Sequence, residues 1–329
     1  MRLDHPLRFK PIYRQYIWGG ERFRSRFGRN LPEGETFAES WEIVDHGADQ
    51  SVVESGPYVG RTLHELMTEE PESLFGVPDA ARRLAAGRNR FPLLLKYLDA
   101  REPLSVQVHP DDVAASRLNP PDLGKTEAWL VLHADPGSRI FAGLESGVDR
   151  ATFEKAIREG TAEECLHAFE SVPGDCLFIR AGTVHALGAG NVVLEIQQAS
   201  DTTFRLFDWN RVDSDGKGRP LHIEQGLDAV DFALGPVNPT KPDPSRDTIH
   251  LIRCDRFLLD RHRLSGPRIL AEDGRCHIFS VVEGSVLVEN DPTGDALAQS
   301  QSVLVPASAT PVTLAPADEA VVIDAHLPW

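Results

Sequence analysis

SVQVHPDD, residues 105–112, places Gln107 and His109 two positions apart at the end of an apolar run, just ahead of Pro110. Side chains at i and i+2 of a strand project to one face. Gln107 and His109 therefore point the same way, with Val106 and Val108 on the other side. An amide and an imidazole sharing a buried face need partners. Those partners are either a hydrogen-bond network in the core or a metal ion, and the residues outside this stretch have to separate the two.

Outward from this stretch, short β-rich runs dominate. ESWEIV (39–44), PLLLKYLDA (92–100), PLSVQVH (103–109), EAWLVLHA (127–134), DCLFI (175–179), NVVLEIQQ (191–198) and TTFRLFDW (202–209) read as strands. Several alternate apolar and polar residues, as half-buried strands do. Helical patterns are fewer: 61–70, 79–87, a helical pair over 149–170 and a helix over 221–234. GPVNPTKPDPSRD (235–247) carries four prolines and reads as a linker. Beyond it come about eighty residues of short strands and turns, enough to close a second small β-barrel or sandwich. The expected fold is mainly β, in two β units with a small helical insertion.

Bulk properties narrow the function. A chain of 329 residues with 41% hydrophobic content can bury a sizeable core in more than one unit. The net charge of −16 disfavours nucleic acid and anionic membranes as partners, and an anionic small substrate would need a local basic pocket. Cys165, Cys176, Cys254 and Cys276 form no CxxC pair, so neither a cysteine zinc site nor a disulfide framework is expected. With no signal peptide and no apolar run of membrane-spanning length, the expected location is the cytoplasm.

Two further places pair chemistry-bearing residues with a strand. In GKTEAWLVL (124–132), Lys125 and Glu127 share a face; in PGDCLFIRAGTVHALGAG (173–190), His185 follows a glycine-containing turn. Two imidazoles, a carboxylate and an amide oxygen would make a four-ligand set suited to zinc or a similar divalent metal. Each residue also has an ordinary interpretation as a hydrogen-bonded core histidine or a solvated carboxylate. The other histidines, such as His46, His64 and His133, show no such context. Spacing alone cannot bring residues 107, 109, 127 and 185 together; a β-barrel could.

Taken together, FPLLLKYLDAREPLSVQVHPDD, GKTEAWLVL and PGDCLFIRAGTVHALGAGNVVLEIQQASDTTFRLFDW resemble the type I mannose-6-phosphate isomerases, a zinc-dependent family of the cupin superfamily. YRQYIWGG (13–20) and FAESWEI (37–43) resemble it more weakly. The resemblance implies cupin-type jelly-roll barrels: a catalytic domain over 1–240 with a helical insertion at about 146–171, and a C-terminal cupin-like domain over 241–329. The latter lacks a QxH or HxH pair and is expected to be structural and metal-free. The resemblance also implies one zinc ion held by Gln107, His109, Glu127 and His185, phosphate binding by Lys96 and Ser105, and catalytic roles for Lys125, Glu195 and Arg205. The implied reaction interconverts mannose 6-phosphate and fructose 6-phosphate through a cis-enediol. The expected partner is a small sugar phosphate, the expected oligomeric state a monomer or a dimer. Two departures stand out. Leu187 replaces the aromatic residue that often follows the turn histidine, and the short interval between Glu127 and His185 leaves no room for the large helical domain of longer members. The competing interpretations are a non-catalytic sugar-phosphate-binding sensor and an oxygenase with a two-histidine, one-carboxylate iron site. The additional Gln and the KxE context speak against the second.

Overall fold

The computed structural model describes residues 2–77, 89–212 and 215–328. The helix expected over 79–87 lies outside them. The chain forms two compact units, one of Arg14–Glu39 with Leu98–Lys241, the other of Met1–Tyr13, Ser40–Tyr97 and Pro242–Trp329. The boundary at Lys241 falls inside the proline-rich stretch. The N-terminal segments depart from the linear division at residue 240, because they pack with the C-terminal strands. Leu7 bridges Leu304, and the Arg8 guanidinium donates to Asp291 at 2.6 Å.

In the first unit, strand Glu127–Ala134 lies between Cys176–Ile179 and Asn191–Gln198, all antiparallel. A five-stranded sheet follows the order Phe204–Phe207, Val106–Val108, His185–Leu187, Arg139–Leu144, Leu166–Glu170. Its apolar residues form a core around Val106, Val108, Phe141 and Leu206. A neighbouring cluster gathers Leu98, Leu104, Trp129, Ile140 and Leu187. Leu187 thus fills core space where an aromatic ring was looked for.

The helical pair expected over 149–170 is half correct. Helix Arg150–Glu159 starts at Asp149, whose carboxylate accepts from the Thr152 amide at 2.8 Å, and ends at Gly160 with φ of 76°. Its Phe153, Ala156 and Ile157 are buried. The second half is a short 3-10 turn, Ala162–Cys165, and then strand Leu166–Glu170 paired with Arg139–Leu144. Local helix propensity is weak, and an open sheet edge beside this segment overrides it. The helix over 221–234 is shorter than expected, Ile223–Ala229. It packs closely through Gly226: a Cβ there would lie 2.4 Å from Leu206 Cδ2.

The second unit contains a five-stranded sheet, Thr248–Arg253, Leu258–Leu264, Ala320–His326, His277–Glu283, Ser302–Val305, and a four-stranded one, Arg268–Leu270, Val312–Pro316, Ser285–Val288, Leu297–Ala298. Phe279, Val281, Val303, Leu314 and Val322 belong to its core. The mainly β architecture is therefore as expected. Among the described residues, no helix is long and apolar enough to cross a membrane.

Candidate active site

Strand register assembles the site. Across the five-stranded sheet, Arg205 stands opposite Gln107, Gln107 opposite His185, and His185 opposite Ala142. Directly opposed residues project to one face, so Arg205, Gln107 and His185 form a transverse row. His109 follows immediately after the Val106–Val108 strand. On the other set of strands, Glu127 opposes Gln197 and Trp129 opposes Glu195. The alternation Lys125, Glu127, Trp129 brings a second row of polar groups onto one side.

These rows meet. Glu127 Oε1 lies 3.3 Å from His185 Nε2, and Oε2 lies 3.4 Å from His109 Nε2. Ligand atoms of the three residues all fall within 4.8 Å of one another, and all three side chains are buried. Gln107 Nε2 is 3.3 Å from His185 Nε2. Lys125 Nζ is 2.7 Å from Glu127 Oε2, 3.1 Å from His109 Nε2 and 3.4 Å from Glu195 Oε1. Trp129 Nε1–H donates to Glu195 Oε2 at 3.1 Å. Six of the nine residues singled out from the sequence are thus in one place.

Proton positions follow from the outer partners. His109 Nδ1 is 2.9 Å from the Thr202 carbonyl oxygen, and His185 Nδ1 is 2.9 Å from that of Thr183. A carbonyl only accepts, so both Nδ1 atoms carry the proton and both Nε2 atoms present lone pairs to the site. Burial, reinforced by Lys125, pushes the His109 imidazole down to about 3; burial also lowers His185. Both rings are neutral at physiological pH. Burial alone would raise Glu127, but Lys125 and the two imidazoles outweigh it and hold the carboxyl well below its usual range.

Two neutral acceptor nitrogens therefore face an ionised carboxylate at 3.3–3.4 Å. Such an arrangement of lone pairs repels unless a cation or a proton lies among them. Lys125 meets part of the need. Even so, neither Glu127 oxygen has a well-directed hydrogen-bond donor among the described residues. The donor set fits a borderline divalent metal: neutral imidazole nitrogens, a carboxylate and, once the amide is turned, the Gln107 oxygen.

The remaining predicted residues are placed as follows. Arg205 is half-buried; Nη1 donates to the Pro220 carbonyl at 3.0 Å, while Nε is buried without a hydrogen-bond partner among the described residues. Asp208 is taken by Arg211 and Arg219, at 2.5 and 2.7 Å, so it does not pair with Arg205. Ser105 is buried two residues before Gln107. Lys96 is buried in the other compact unit, with Nζ 5.7 Å from the Trp41 ring centroid. Sequence reasoning missed Trp129, although its place in the Lys125–Glu127 alternation was the available signal. It also missed the Thr183 and Thr202 carbonyls, which carry no side-chain signature.

Antiparallel sheets carrying two neutral imidazoles, a buried carboxylate and an amide define a mainly β protein with a metal-competent centre. Relatives sharpen this. The family model for the type I phosphomannose isomerase catalytic domain matches residues 7–135. Mannose-6-phosphate isomerase ManA of Bacillus subtilis is 37% identical over 282 residues, covering 85% of this chain and 86% of that protein. The mannose-6-phosphate isomerase of Streptococcus mutans is 36% identical over 285 residues, covering 86% of each. The crystal structure of the mannose 6-phosphate isomerase from Bacillus subtilis matches with a TM-score of 0.85 at 32% identity, covering 98% of this chain and 100% of that one. The chain belongs to the type I phosphomannose isomerase family.

Proposed function

We propose that the protein interconverts mannose 6-phosphate and fructose 6-phosphate, with Gln107, His109, Glu127 and His185 holding one zinc ion. The observation that carries this reading is the Lys125–Glu195 pair, 3.4 Å apart, set directly against the metal-competent triad. When bound, the ion supplies positive charge against the negative charge that develops on the sugar oxygens.

The chain's own groups do the rest. In the open-chain aldose, the C2 proton leaves to a base while O1 takes up a proton, giving the C1–C2 enediol; O2 then gives up its proton as C1 receives one, and the ketose forms. Glu195 is the base we favour. Its carboxylate is held in place by the Trp129 indole and the Lys125 ammonium, so one oxygen stays aimed while a proton moves between neighbouring carbons. Lys125 also offsets the charge of Glu127. Arg205, on the same sheet face as Gln107, adds a fixed cation with a planar donor fork for the enediolate. Phosphate binding by Ser105 and Lys96 belongs to the same proposal. We also place the enzyme in the cytoplasm, where four free thiols are at home.

Purified protein incubated with mannose 6-phosphate, the product followed by NMR, tests the reading, with glucose 6-phosphate as control substrate. Expected is conversion to fructose 6-phosphate, lost on chelation and restored in part by zinc. Binding without turnover at saturating metal would favour the non-catalytic sensor. Turnover indifferent to chelation would remove the metal role.

A further inference from the structure

The second β unit carries a side-chain cluster that the reaction above does not use. Asp273 sits in the turn before strand His277–Glu283, and His326 closes strand Ala320–His326. One ligand atom from each of Asp273, His277 and His326 lies within 4.8 Å of the others. His277 and His326 are register partners, as are Val281 and Val322 on the same pair of strands. The imidazoles therefore share a face with the apolar core of this unit. Their rings stack at 4.5 Å with 24° between planes.

Each imidazole has a buried carboxylate behind it. His277 Nδ1 is 2.8 and 3.0 Å from the two Asp324 oxygens, and His326 Nε2 is 3.8 Å from Asp260 Oδ2. Asp324 and Asp260 are both buried. His277 Nε2 donates to Asp273 Oδ1 at 2.9 Å, a proton that a bound ion would displace, and His326 Nδ1 remains. The latter is buried with no hydrogen-bond partner among the described residues, in a residue only 9% exposed. An imidazole that donates from its far nitrogen to a carboxylate is the usual support for a metal-bound histidine; His277 has that bond to Asp324, and His326 has Asp260 nearby at 3.8 Å. An orphaned ring nitrogen on a residue of such a cluster is what a missing ligand leaves.

We propose that Asp273, His277 and His326 form a second divalent-metal site of the zinc class, built wholly within the second unit. Two nitrogens and one oxygen suit a borderline metal and leave a fourth position for water. Donors around tetrahedral zinc lie ~3.3 Å apart, so the three atoms need to close by at most ~1.5 Å. The Asp273 side chain, 38% exposed, gives the ion a way in from solvent.

The test is stoichiometry. Metal-free full-length protein is titrated with Zn2+ under equilibrium dialysis with elemental analysis, and with Co2+ by visible absorption. Two ions per chain are expected for the wild type, one for Asp273→Asn and one for His326→Gln. The first substitution lies in an exposed turn and spares the sheet, so a folded variant is available. Zn2+-loaded Asp273→Asn should keep isomerase turnover within twofold of wild type, and His185→Asn should still bind one ion. Wild type saturating at one ion overturns the proposal, as does a full complement of two in both Asp273→Asn and His326→Gln; the cluster is then an ion-pair network. Ion counting is independent of turnover, so this outcome and failure of the isomerase reading remain distinguishable.

Discussion

Replacing Glu195 by Gln separates the proton-transfer role from everything else the site does. The amide has the shape of the carboxylate. Its oxygen can still accept from Trp129 Nε1, 3.1 Å away in the wild type. The amide NH2 then takes the place of Oε1, 3.4 Å from the Lys125 ammonium, so an attractive contact becomes donor against donor, but that ammonium retains Glu127 at 2.7 Å. Exchanging a charged acceptor for a neutral one in this setting costs about 1 kcal/mol of stability, a few degrees in Tm at most. The four proposed metal ligands are untouched, so bound metal should stay at its wild-type level. Loss of a general base typically lowers the rate by about 10²–10⁴, or roughly 3–5.5 kcal/mol of barrier. The expected variant is therefore folded, metal-loaded and at least a hundredfold slower. Turnover of mannose 6-phosphate, deuterium wash-in at C2 and elemental analysis measure the three properties on one preparation. A variant that keeps more than about a tenth of wild-type turnover at full metal content refutes the assignment. The base would then be sought at Lys125, where Lys125→Arg keeps the charge and removes the tunable amine.

Arg205→Ala should cut turnover by about a hundredfold at unchanged metal content if the guanidinium meets enediolate charge; loss of folding instead would mark its bond to the Pro220 carbonyl as structural. Gly226→Ala should lower Tm, because the added methyl meets Leu206 at 2.4 Å. Overpacking costs about 1–3 kcal/mol and exceeds the ~1 kcal/mol gained in helix propensity; an unchanged or higher Tm would show that Leu206 yields. Burial, reinforced by Asp175, pushes the Cys176 thiol up to about 12 in the folded chain. An unfolded thiol titrates near 8.5. Its folded pKa being the higher, Cys176 supports stability fully below about pH 8.5 and withdraws it as pH rises towards 12, by about 1.4 kcal/mol per unit. Urea unfolding at pH 8.5 and 10 should show Cys176→Ala losing about 2 kcal/mol less than wild type, and parallel losses would contradict this.

What the sequence discloses depends on how far each pairing reaches. The strands around Gln107, Glu127 and Glu195 are legible because apolar alternation is local, and Gln107 with His109 are two residues apart. The row Arg205–Gln107–His185 is not legible, since it is set by cross-strand register between segments far apart in the chain. Resemblance to a family brought these residues together before any geometry did. The segment 162–170 failed for the complementary reason: its local pattern suits a helix, and only the edge of strand Arg139–Leu144 decides otherwise. The carbonyls that fix the His109 and His185 tautomers belong to the backbone and leave no trace in residue type. The second unit shows the same limit. Searching for a QxH or HxH pair finds ligands that share one strand. His277 and His326 are neighbours only because two strands pair in one register, and Asp273 joins them from a turn. A unit without the motif can still assemble the donor set, and a register slip of one residue would turn one imidazole away and dissolve the cluster.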